Sequence, residues 1–338
     1  MSLLPYLHRV AAGSDLSAPE AHQAMSVLLA GQAGEAEIAG FLVALKMKGE
    51  TAAELAGFAR AMRDRMIVVD AGTGVIDTCG TGGDGSGTFN ISTVVAIVMA
   101  GAGARVAKHG NRSISSASGS ADVLEALGVR VTDVTPDESA QSIREIGIGF
   151  LFAPALHPAM KHAQAVRKAL KTRTVLNLLG PLVNPARASA QLIGAPSPQA
   201  AKLMAEALAE LGTGRSFVVH GHDGLDEITI SGATDVYEVT PQGVDKHVWK
   251  PSDFGVHAAP LDSLKGGDCV CNSQIILGVL RGGLGPCRDI VLVNAAAGLV
   301  AARLAADLRH GVRLAAASID SGAATAKLEL LKRKFPAV

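Results

Sequence analysis

A glycine-rich segment that precedes a long apolar run is the part of this sequence best suited to bind an anion. Residues 79–88 contain five glycines, and the apolar run 94–104 follows closely. Glycine permits positive φ and a close backbone approach, so successive N–H groups can turn toward one ligand. Residues 91–102 are predicted to form a buried helix, whose N-terminus adds N–H donors at the same place. The segment therefore predicts a phosphate-binding loop.

A second polar segment, residues 108–120, lies on the other side of that helix. It supplies the side chains of Lys108, His109, Asn111 and Arg112. It also supplies the hydroxyl groups of Ser113, Ser115, Ser116 and Ser120. Two such segments around one helix predict a two-sided cradle for a ligand with several phosphates. The alternative is a turn that binds no ligand, because the sequence has neither the Walker phosphate-binding pattern nor the acidic residue expected in a Rossmann dinucleotide site.

Two adjacent acids, Asp226 and Glu227, follow a predicted strand at residues 216–220. Carboxylates at a strand end suit hard cations that prefer oxygen ligands. A zinc site built from His220, His222 and Asp223 is the alternative. The two histidines would share a face only if the strand continued through residue 221, which is glycine.

A cation-rich segment without acids forms a third candidate. Its cations are Lys161, Arg167, Lys168, Lys171 and Arg173. Most charges of such a run are expected to be solvated. Arg167 differs because Ala163 and Leu170, its i−4 and i+3 neighbours on the helix, are apolar and predict a face that points inward. An inward arginine without a nearby acid needs an anion.

The elements that must position these groups fall into two regions. Residues 1–70 are predicted to be a small helical domain, with capping boxes at Ser17–Glu20 and Thr51–Glu54. Residues 71–338 alternate between strand and helix patterns, which predicts a larger α/β domain with a central mixed sheet flanked by helices. Residues 160–185 are expected to pack with the helical domain.

Within the larger region, short apolar runs mark the strands. They are predicted at residues 75–78, 149–152, 192–193, 216–220, 228–230, 236–239 and 290–293, and the helices at 135–147, 198–211, 271–280, 295–310 and 311–321. Strands 228–230 and 236–239 are predicted to pair antiparallel across a Gly-containing turn. The rest of residues 241–285 is predicted to be irregular.

Composition limits the class of protein. The chain has 338 residues, 48% hydrophobic but only 3% aromatic, which predicts an aliphatic core rich in Ala and Gly. The formal net charge of zero argues against a general nucleic-acid binder. The four cysteines form no CxxC pair, and no apolar run approaches the about 20 residues that cross a bilayer. We expect reduced thiols in a soluble, cytoplasmic protein with no membrane partner.

Four motifs in order, GTGGDG, TFNIST, KHGNR and GSADVLEALG, closely resemble those of the anthranilate phosphoribosyltransferase family of tryptophan biosynthesis. The resemblance continues through residues 38–65 and 152–185. It implies transfer of the 5-phosphoribosyl group from phosphoribosyl pyrophosphate to the amine of anthranilate, giving N-(5-phosphoribosyl)anthranilate and pyrophosphate. It also implies two Mg²⁺ per subunit and a homodimer formed through the helical domains.

The resemblance assigns roles to individual residues and requires no covalent or acid–base catalyst. For phosphoribosyl pyrophosphate they are Gly80, Gly83, Asp84, Thr88, Asn90, Ile91, Ser92, Thr93, Lys108, His109, Gly110, Asn111, Arg112, Ser113, Ile114, Ser115, Ser116 and Ser120. For anthranilate they are Gly80, Asn111, His157 and Arg167, and for magnesium Ser92, Asp226 and Glu227. Residues 177–185 are expected to form a hinge. Ala117 stands where some relatives have Lys or Arg, so Lys108 and Arg112 must suffice for phosphate binding.

Two other functions stay open at this point. A nucleoside phosphorylase of the same fold is possible, although its signature loop is missing. A non-catalytic paralogue that binds nucleic acid would be expected to lose the GTGGD motif and gain a basic face, and the sequence shows neither change.

Overall fold

The computed structural model describes residues 2–113 and 118–337. The first region contains four helices, α1 (Leu4–Ala11), α2 (Ala18–Leu29), α3 (Glu35–Lys48) and α4 (Ala52–Arg63). Both predicted capping boxes are present, at the starts of α2 and α4. Phe41 and Phe58 meet edge to face in the core, with ring centroids 6.0 Å apart.

A seven-stranded mixed sheet forms the centre of the second region. Its order is β3-β2-β1-β4-β5-β6-β7, with β1 to β5 parallel and β6 and β7 antiparallel. The predicted fold class is therefore confirmed. The strands are β1 (Val75–Asp77), β2 (Arg105–Gly110), β3 (Ile148–Phe152), β4 (Ala190–Gly194), β5 (Arg215–Gly221), β6 (Thr234–Thr240) and β7 (Gly243–Trp249).

Helices cover both faces of this sheet. They are α5 (Ile91–Gly101), α6 (Ser120–Ala126), α7 (Pro136–Glu145), α8 (Ala153–Leu156), α9 (Lys161–Leu170), α10 (Leu176–Leu179), α11 (Pro198–Leu211), α12 (Pro251–Phe254), α13 (Cys269–Leu280), α14 (Pro286–Ala301), α15 (Leu308–Asp320) and α16 (Ala323–Lys334). Short 3₁₀ turns span Pro158–Met160, Gly180–Val183 and Leu261–Leu264. Helix α5 is buried over most of its length, because apolar residues surround its whole circumference.

The hydrophobic core is divided. One cluster joins α5, α14 and the sheet, and another joins α2, α3 and α4 to α11. Ala163 and Val166 of α9 and Val175, Leu176 and Leu179 beyond it belong to the second cluster. Helix α9 is thereby fixed to the four-helix region.

Three sequence predictions about strands are wrong. Residues 290–293 lie inside α14, which begins at Pro286 and continues beyond Asn294 into an Ala-rich stretch that favours helix. Residues 228–230 form no strand, and β6 pairs with β5 and β7 instead. Strand β7, in a segment predicted to be irregular, is mostly exposed and so lacks the apolar alternation of a half-buried strand.

The second polar segment is also not a loop throughout. Lys108, His109 and Gly110 end strand β2, which pairs with both β1 and β3. Ile114, Ser115, Ser116 and Ala117 lie outside the described residues. Among the helices that are described, none combines the length and apolar character needed to cross a membrane.

Candidate active site

The candidate residues gather at the carboxyl ends of the parallel strands. Strand β1 lies between β2 and β4, and the chain runs from β1 to β2 and β3 in one direction before it returns past β1 to β4, so the strand order reverses at β1. Ligands of open α/β sheets bind at such a switch point. The loop from Thr78 to Asn90 starts there and leads into α5, whose first residues are Ile91, Ser92 and Thr93.

The glycine loop is held by carboxylates. Gly82, Gly83, Gly85 and Gly87 all have positive φ, which explains why glycine is needed at these positions. The Gly82 N–H donates to Asp226 Oδ2 over 2.8 Å, and the Asp226 N–H donates to Asp84 Oδ2 over 3.2 Å. The predicted phosphate loop and the predicted acid pair therefore belong to one site, although they lie far apart in sequence.

The acids of this site are crowded and buried. Burial and the neighbouring Asp84 charge raise the pKa of Asp226 above its usual range. Burial and the Asp226 charge raise the pKa of Glu227, whose carboxyl is also hydrogen-bonded by the Ser92 backbone. A hard divalent cation would relieve this repulsion, and Asp226, Glu227 and the Ser92 hydroxyl offer the oxygen ligands that Mg²⁺ prefers.

Lys108 provides the cation nearest to these acids. Its ammonium donates to Thr78 O, Thr78 Oγ1 and Ser92 Oγ over 3.2, 3.3 and 3.2 Å. The side chain is only 4% exposed, and its charge opposes the rise in pKa at both Asp77 and Glu227. Lys108 therefore ties the end of β1 to the first turn of α5.

Two neutral histidines lie beside the loop. His109 and His157 have ring centroids 5.1 Å apart, and the Nε2 atom of each is buried without a hydrogen-bond partner among the described residues. His109 Nδ1 lies 3.1 Å from Gly180 O, and His157 hydrogen-bonds the Val183 backbone. Burial lowers the pKa of His109 to about 3 and that of His157 to about 4. Both imidazoles are therefore uncharged at neutral pH.

The rest of the second polar segment forms the outer wall. Asn111 O accepts from Ser120 Oγ at 3.2 Å, and the Ser113 N–H donates to Asp122 Oδ2 at 3.0 Å. Arg112 makes a two-pronged ion pair with Glu125, at 2.7 Å for both contacts. A phosphate that used Arg112 would have to compete with this pair.

Two further members of the predicted list support the loop from within. Asn90 donates to Ser118 O at 3.1 Å and accepts from Asn272 Nδ2 at 2.9 Å. Thr88 lies 3.2 Å from Ser86 Oγ, and Ser86 in turn donates to Asp84 Oδ1 at 2.9 Å.

Helix α9 lies next to this site. His157, which precedes the helix, contacts His109, and Arg173, which follows it, donates to the carbonyls of Gly82 and Gly83. Arg167 lies between them, is half-buried, and has no hydrogen bond or ion pair within the part of the chain that is described. Burial lowers the pKa of its guanidinium. By contrast, Lys161, Lys168 and Lys171 are exposed, as predicted.

The zinc alternative does not assemble. His220 Nδ1 lies 2.9 Å from Ala195 O, and His222 Nε2 lies 3.1 Å from Asp235 Oδ1. Asp223 accepts from Thr229 and Ser231. The three candidate zinc ligands therefore make separate contacts with other residues.

Comparison with known proteins agrees with this geometry. Residues 72–325 match the family model described as glycosyl transferase family, a/b domain, and residues 4–66 match its helical bundle domain. The anthranilate phosphoribosyltransferase of Solibacter usitatus is 59% identical over 334 residues, covering 98% of each chain. That of Geobacter sulfurreducens is 51% identical and covers 94% of this chain and 95% of its own.

The chain belongs to the anthranilate phosphoribosyltransferase family.

Solved structures of this family share the whole fold. The Thermus thermophilus enzyme superposes with a TM-score of 0.92 at 43% identity, covering 97% of this chain and 98% of its own. The Saccharomyces cerevisiae enzyme in complex with phosphoribosyl pyrophosphate and Mg has a TM-score of 0.90 at 30% identity, covering 98% and 97%. The same yeast enzyme has also been solved with 4-fluoroanthranilate.

Asp77 and Gly194 contribute to the site but are not among the residues predicted from the sequence. Asp77 is fully buried and accepts from the His109 N–H and from Asn184 Nδ2, at 3.1 and 2.7 Å. Gly194, the last residue of β4, accepts from the Thr81 N–H at 2.9 Å. The donor atoms of Asp77, Cys79 and His109 also lie within 4.8 Å of one another. Only the position of Asp77 at the predicted strand end could have indicated this cluster.

Proposed function

We propose that this chain transfers the 5-phosphoribosyl group of phosphoribosyl pyrophosphate to the amine of anthranilate. The products are N-(5-phosphoribosyl)anthranilate and pyrophosphate, and the reaction is a step of tryptophan biosynthesis. The observation that carries the proposal is the contact of the glycine loop with the acid pair, beside α9, where Arg167 is half-buried without an ion pair among the described residues.

The donor half of the site is the glycine loop with α5 and the end of β2. In the reaction the bond from ribose C1 to the pyrophosphate oxygen breaks, and charge develops on the leaving group. Loop N–H groups, the start of α5 and Lys108, which contacts Ser92 in the first turn of that helix, would stabilise that charge with little reorganisation. When bound, Mg²⁺ would neutralise further leaving-group charge. Asp226, Glu227 and Ser92 are its proposed ligands, with two ions per subunit.

The acceptor half of the site requires an anion-binding group and an uncharged surface. Arg167 would bind the anthranilate carboxylate, for which its planar fork is suited. His157, Asn111 and Gly80 would line the same pocket. The arylamine is neutral at pH 7, so it attacks C1 as the pyrophosphate leaves and then releases one proton. No side chain is required as a strong base.

The comparisons support this function over the phosphorylase alternative, because the relatives and neighbours named above are all anthranilate phosphoribosyltransferases. The motifs of the glycine loop and its acid partners are intact. The binding of nucleic acid receives no support from the neutral net charge.

Three further parts of the prediction belong to the same proposal. The chain is divided into a helical domain, residues 1–70, and an α/β domain, residues 71–338. It forms a homodimer through the helical domains, and it acts in the cytoplasm. The dimer follows from the family resemblance, and analytical ultracentrifugation of the purified protein tests it directly.

One assay tests the activity. The purified protein is incubated with anthranilate and phosphoribosyl pyrophosphate, with and without Mg²⁺, while anthranilate fluorescence and released pyrophosphate are followed. We expect the amount of anthranilate consumed to equal the amount of pyrophosphate released, and both to depend on Mg²⁺. Omission of anthranilate should stop pyrophosphate release. Phosphorolysis of a pyrimidine nucleoside, with no anthranilate-dependent release of pyrophosphate, would favour the phosphorylase alternative.

A further inference from the structure

Arg173 joins the acceptor side of the site to the glycine loop. Its Nη1 donates to Gly83 O over 2.7 Å, and its Nη2 donates to Gly82 O. One guanidinium thus binds two successive carbonyls of the loop. The two donors of the fork match this arrangement, which a single ammonium could satisfy only in part.

The loop at this point depends on such external contacts. Gly82 and Gly83 are exposed and have φ of +66° and +68°. They have no side chains to bury, so ordering them costs conformational entropy that packing does not offset. Among the described residues, the side chains that hydrogen-bond this pair are Asp226, on the Gly82 N–H, and Arg173, on the two carbonyls.

The other end of this connection is fixed to the four-helix region. Thr172, next to Arg173, accepts a hydrogen bond from Lys46 of α3 through its Oγ1, over 2.6 Å. Lys171 ends α9 in the left-handed conformation, with φ of +47°, and turns the chain toward the loop. Helix α9 also buries Ala163 and Val166 in the core of that region. A short segment, bonded at both ends, therefore spans from α3 and α9 to the glycine loop.

We propose that Arg173 is a positioning residue that fixes the Gly82–Gly83 turn relative to α9. It thereby holds the glycine loop, which binds the phosphoribosyl donor, in a fixed position relative to Arg167. This inference rests on the proposed function, because it assigns the loop to the donor and Arg167 to the acceptor. In this proposal Arg173 acts through the loop backbone, to which both of its terminal nitrogens donate, and not as a ligand of the substrate phosphates.

The first test uses the protein without substrates. Hydrogen–deuterium exchange is compared for wild type, Arg173→Ala, Arg173→Lys and the control Lys168→Ala, which removes an exposed cation of α9. We expect amides of residues 80–87 to exchange about tenfold faster in Arg173→Ala. Arg173→Lys should be intermediate, and Lys168→Ala should match wild type. Unchanged exchange in Arg173→Ala would overturn the proposal.

The second test uses steady-state kinetics of the same proteins. Arg173→Ala should raise KM for phosphoribosyl pyrophosphate by about tenfold or more and also lower kcat, because the loop is no longer fixed for the leaving group. KM for anthranilate should change far less. Full rescue by Arg173→Lys would show that charge alone is needed and would contradict positioning. If wild type proves inactive, the proposed function fails while the exchange test still decides the role of Arg173 in the loop.

Discussion

The Cα atom of Gly194 lies against the carbonyl oxygen of Asp226, and a Cβ built on Gly194 would be only 1.5 Å from that oxygen. The end of β4 thereby fixes the backbone from which the acid pair projects. No side chain fits between the two residues, so substitution must displace one of them. Gly194 is therefore a requirement of the site and not of the strand.

Gly194→Ala should displace Asp226 and reduce kcat/KM by about a hundredfold, with a loss of stability of about 1–3 kcal/mol from overpacking. The measurements are steady-state kinetics and denaturant unfolding. Gly232→Ala is the matched control, since a Cβ there meets no atom within 4 Å. Wild-type activity in Gly194→Ala would mean that the loop carrying Asp226 adjusts freely.

Removal of both charges from the acid pair should abolish turnover while the fold survives. Burial and mutual repulsion raise the pKa of Asp226 and Glu227, so the neutral amides of Asp226→Asn with Glu227→Gln should leave thermal stability unchanged or higher. Turnover is measured across a Mg²⁺ titration, and the exposed acid Asp262, changed to Asn, serves as the control. Activity within about threefold of wild type at saturating Mg²⁺ would exclude these acids as its ligands.

The two buried histidines should lower the free energy of unfolding in acid, whereas the buried acids should raise it. Their folded pKa values, about 3 for His109 and about 4 for His157, lie below the ordinary value of 6.5. The unfolded chain therefore binds more protons, and the free energy of unfolding falls as pH drops from 6.5 toward 4, by about 1.4 kcal/mol per pH unit per histidine at most. Buried Asp77, with its pKa raised to about 6, contributes the opposite slope between 3.8 and 6, and Asp226 and Glu227, whose pKa values are also raised, add to that opposite slope.

The histidines and the buried acids change the unfolding free energy with pH in opposite directions, so wild type alone does not separate them. A variant that lacks one histidine does. His157→Gln should flatten the pH dependence of the unfolding free energy between pH 6.5 and 4 relative to wild type. Histidine NMR titration should show both imidazoles still neutral at pH 5. A titration midpoint near 6.5 for His157 would contradict its burial in this pocket.

The local parts of the site could be predicted from the sequence, and the contacts that close it could not. The glycine loop, α5 and Lys108 lie close together in sequence, and their residue types indicate phosphate binding even when the tertiary structure is not known. Asp77 and Asn184 are 107 positions apart, and Gly82 and Asp226 are 144 apart. Only the strand order brings these residues together, and local patterns do not encode that order.

Ambiguity of short apolar runs explains the errors in the fold. Residues 290–293 are apolar and three of the four are β-branched, so they fit a buried strand as well as a buried helix. They form a helix because they lie within the 16-residue helix α14, between Pro286 and an Ala-rich stretch. Strand β7 forms by pairing with β6, and its exposed side chains give no signal in the sequence.

Arg167 should determine the choice of acceptor. It is half-buried on α9 without an anionic partner in the described chain, so a substrate carboxylate would be its partner. A hydrogen bond to a charged group contributes about 1.5–3 kcal/mol, so Arg167→Ala should raise KM for anthranilate by about ten- to a hundredfold. KM for phosphoribosyl pyrophosphate should stay near the wild-type value, and Lys168→Ala should change neither.

The decisive comparison replaces the acceptor as well as the arginine. Aniline, which lacks the carboxylate, should be a poor substrate for wild type and Arg167→Ala alike, and the preference for anthranilate over aniline should shrink in the variant. Arg167→Lys should restore this preference only in part, because an ammonium lacks the planar fork that binds both carboxylate oxygens. If Arg167→Ala instead weakens binding of phosphoribosyl pyrophosphate, or keeps the full preference for anthranilate, Arg167 belongs to the phosphate site or to the solvated face of α9.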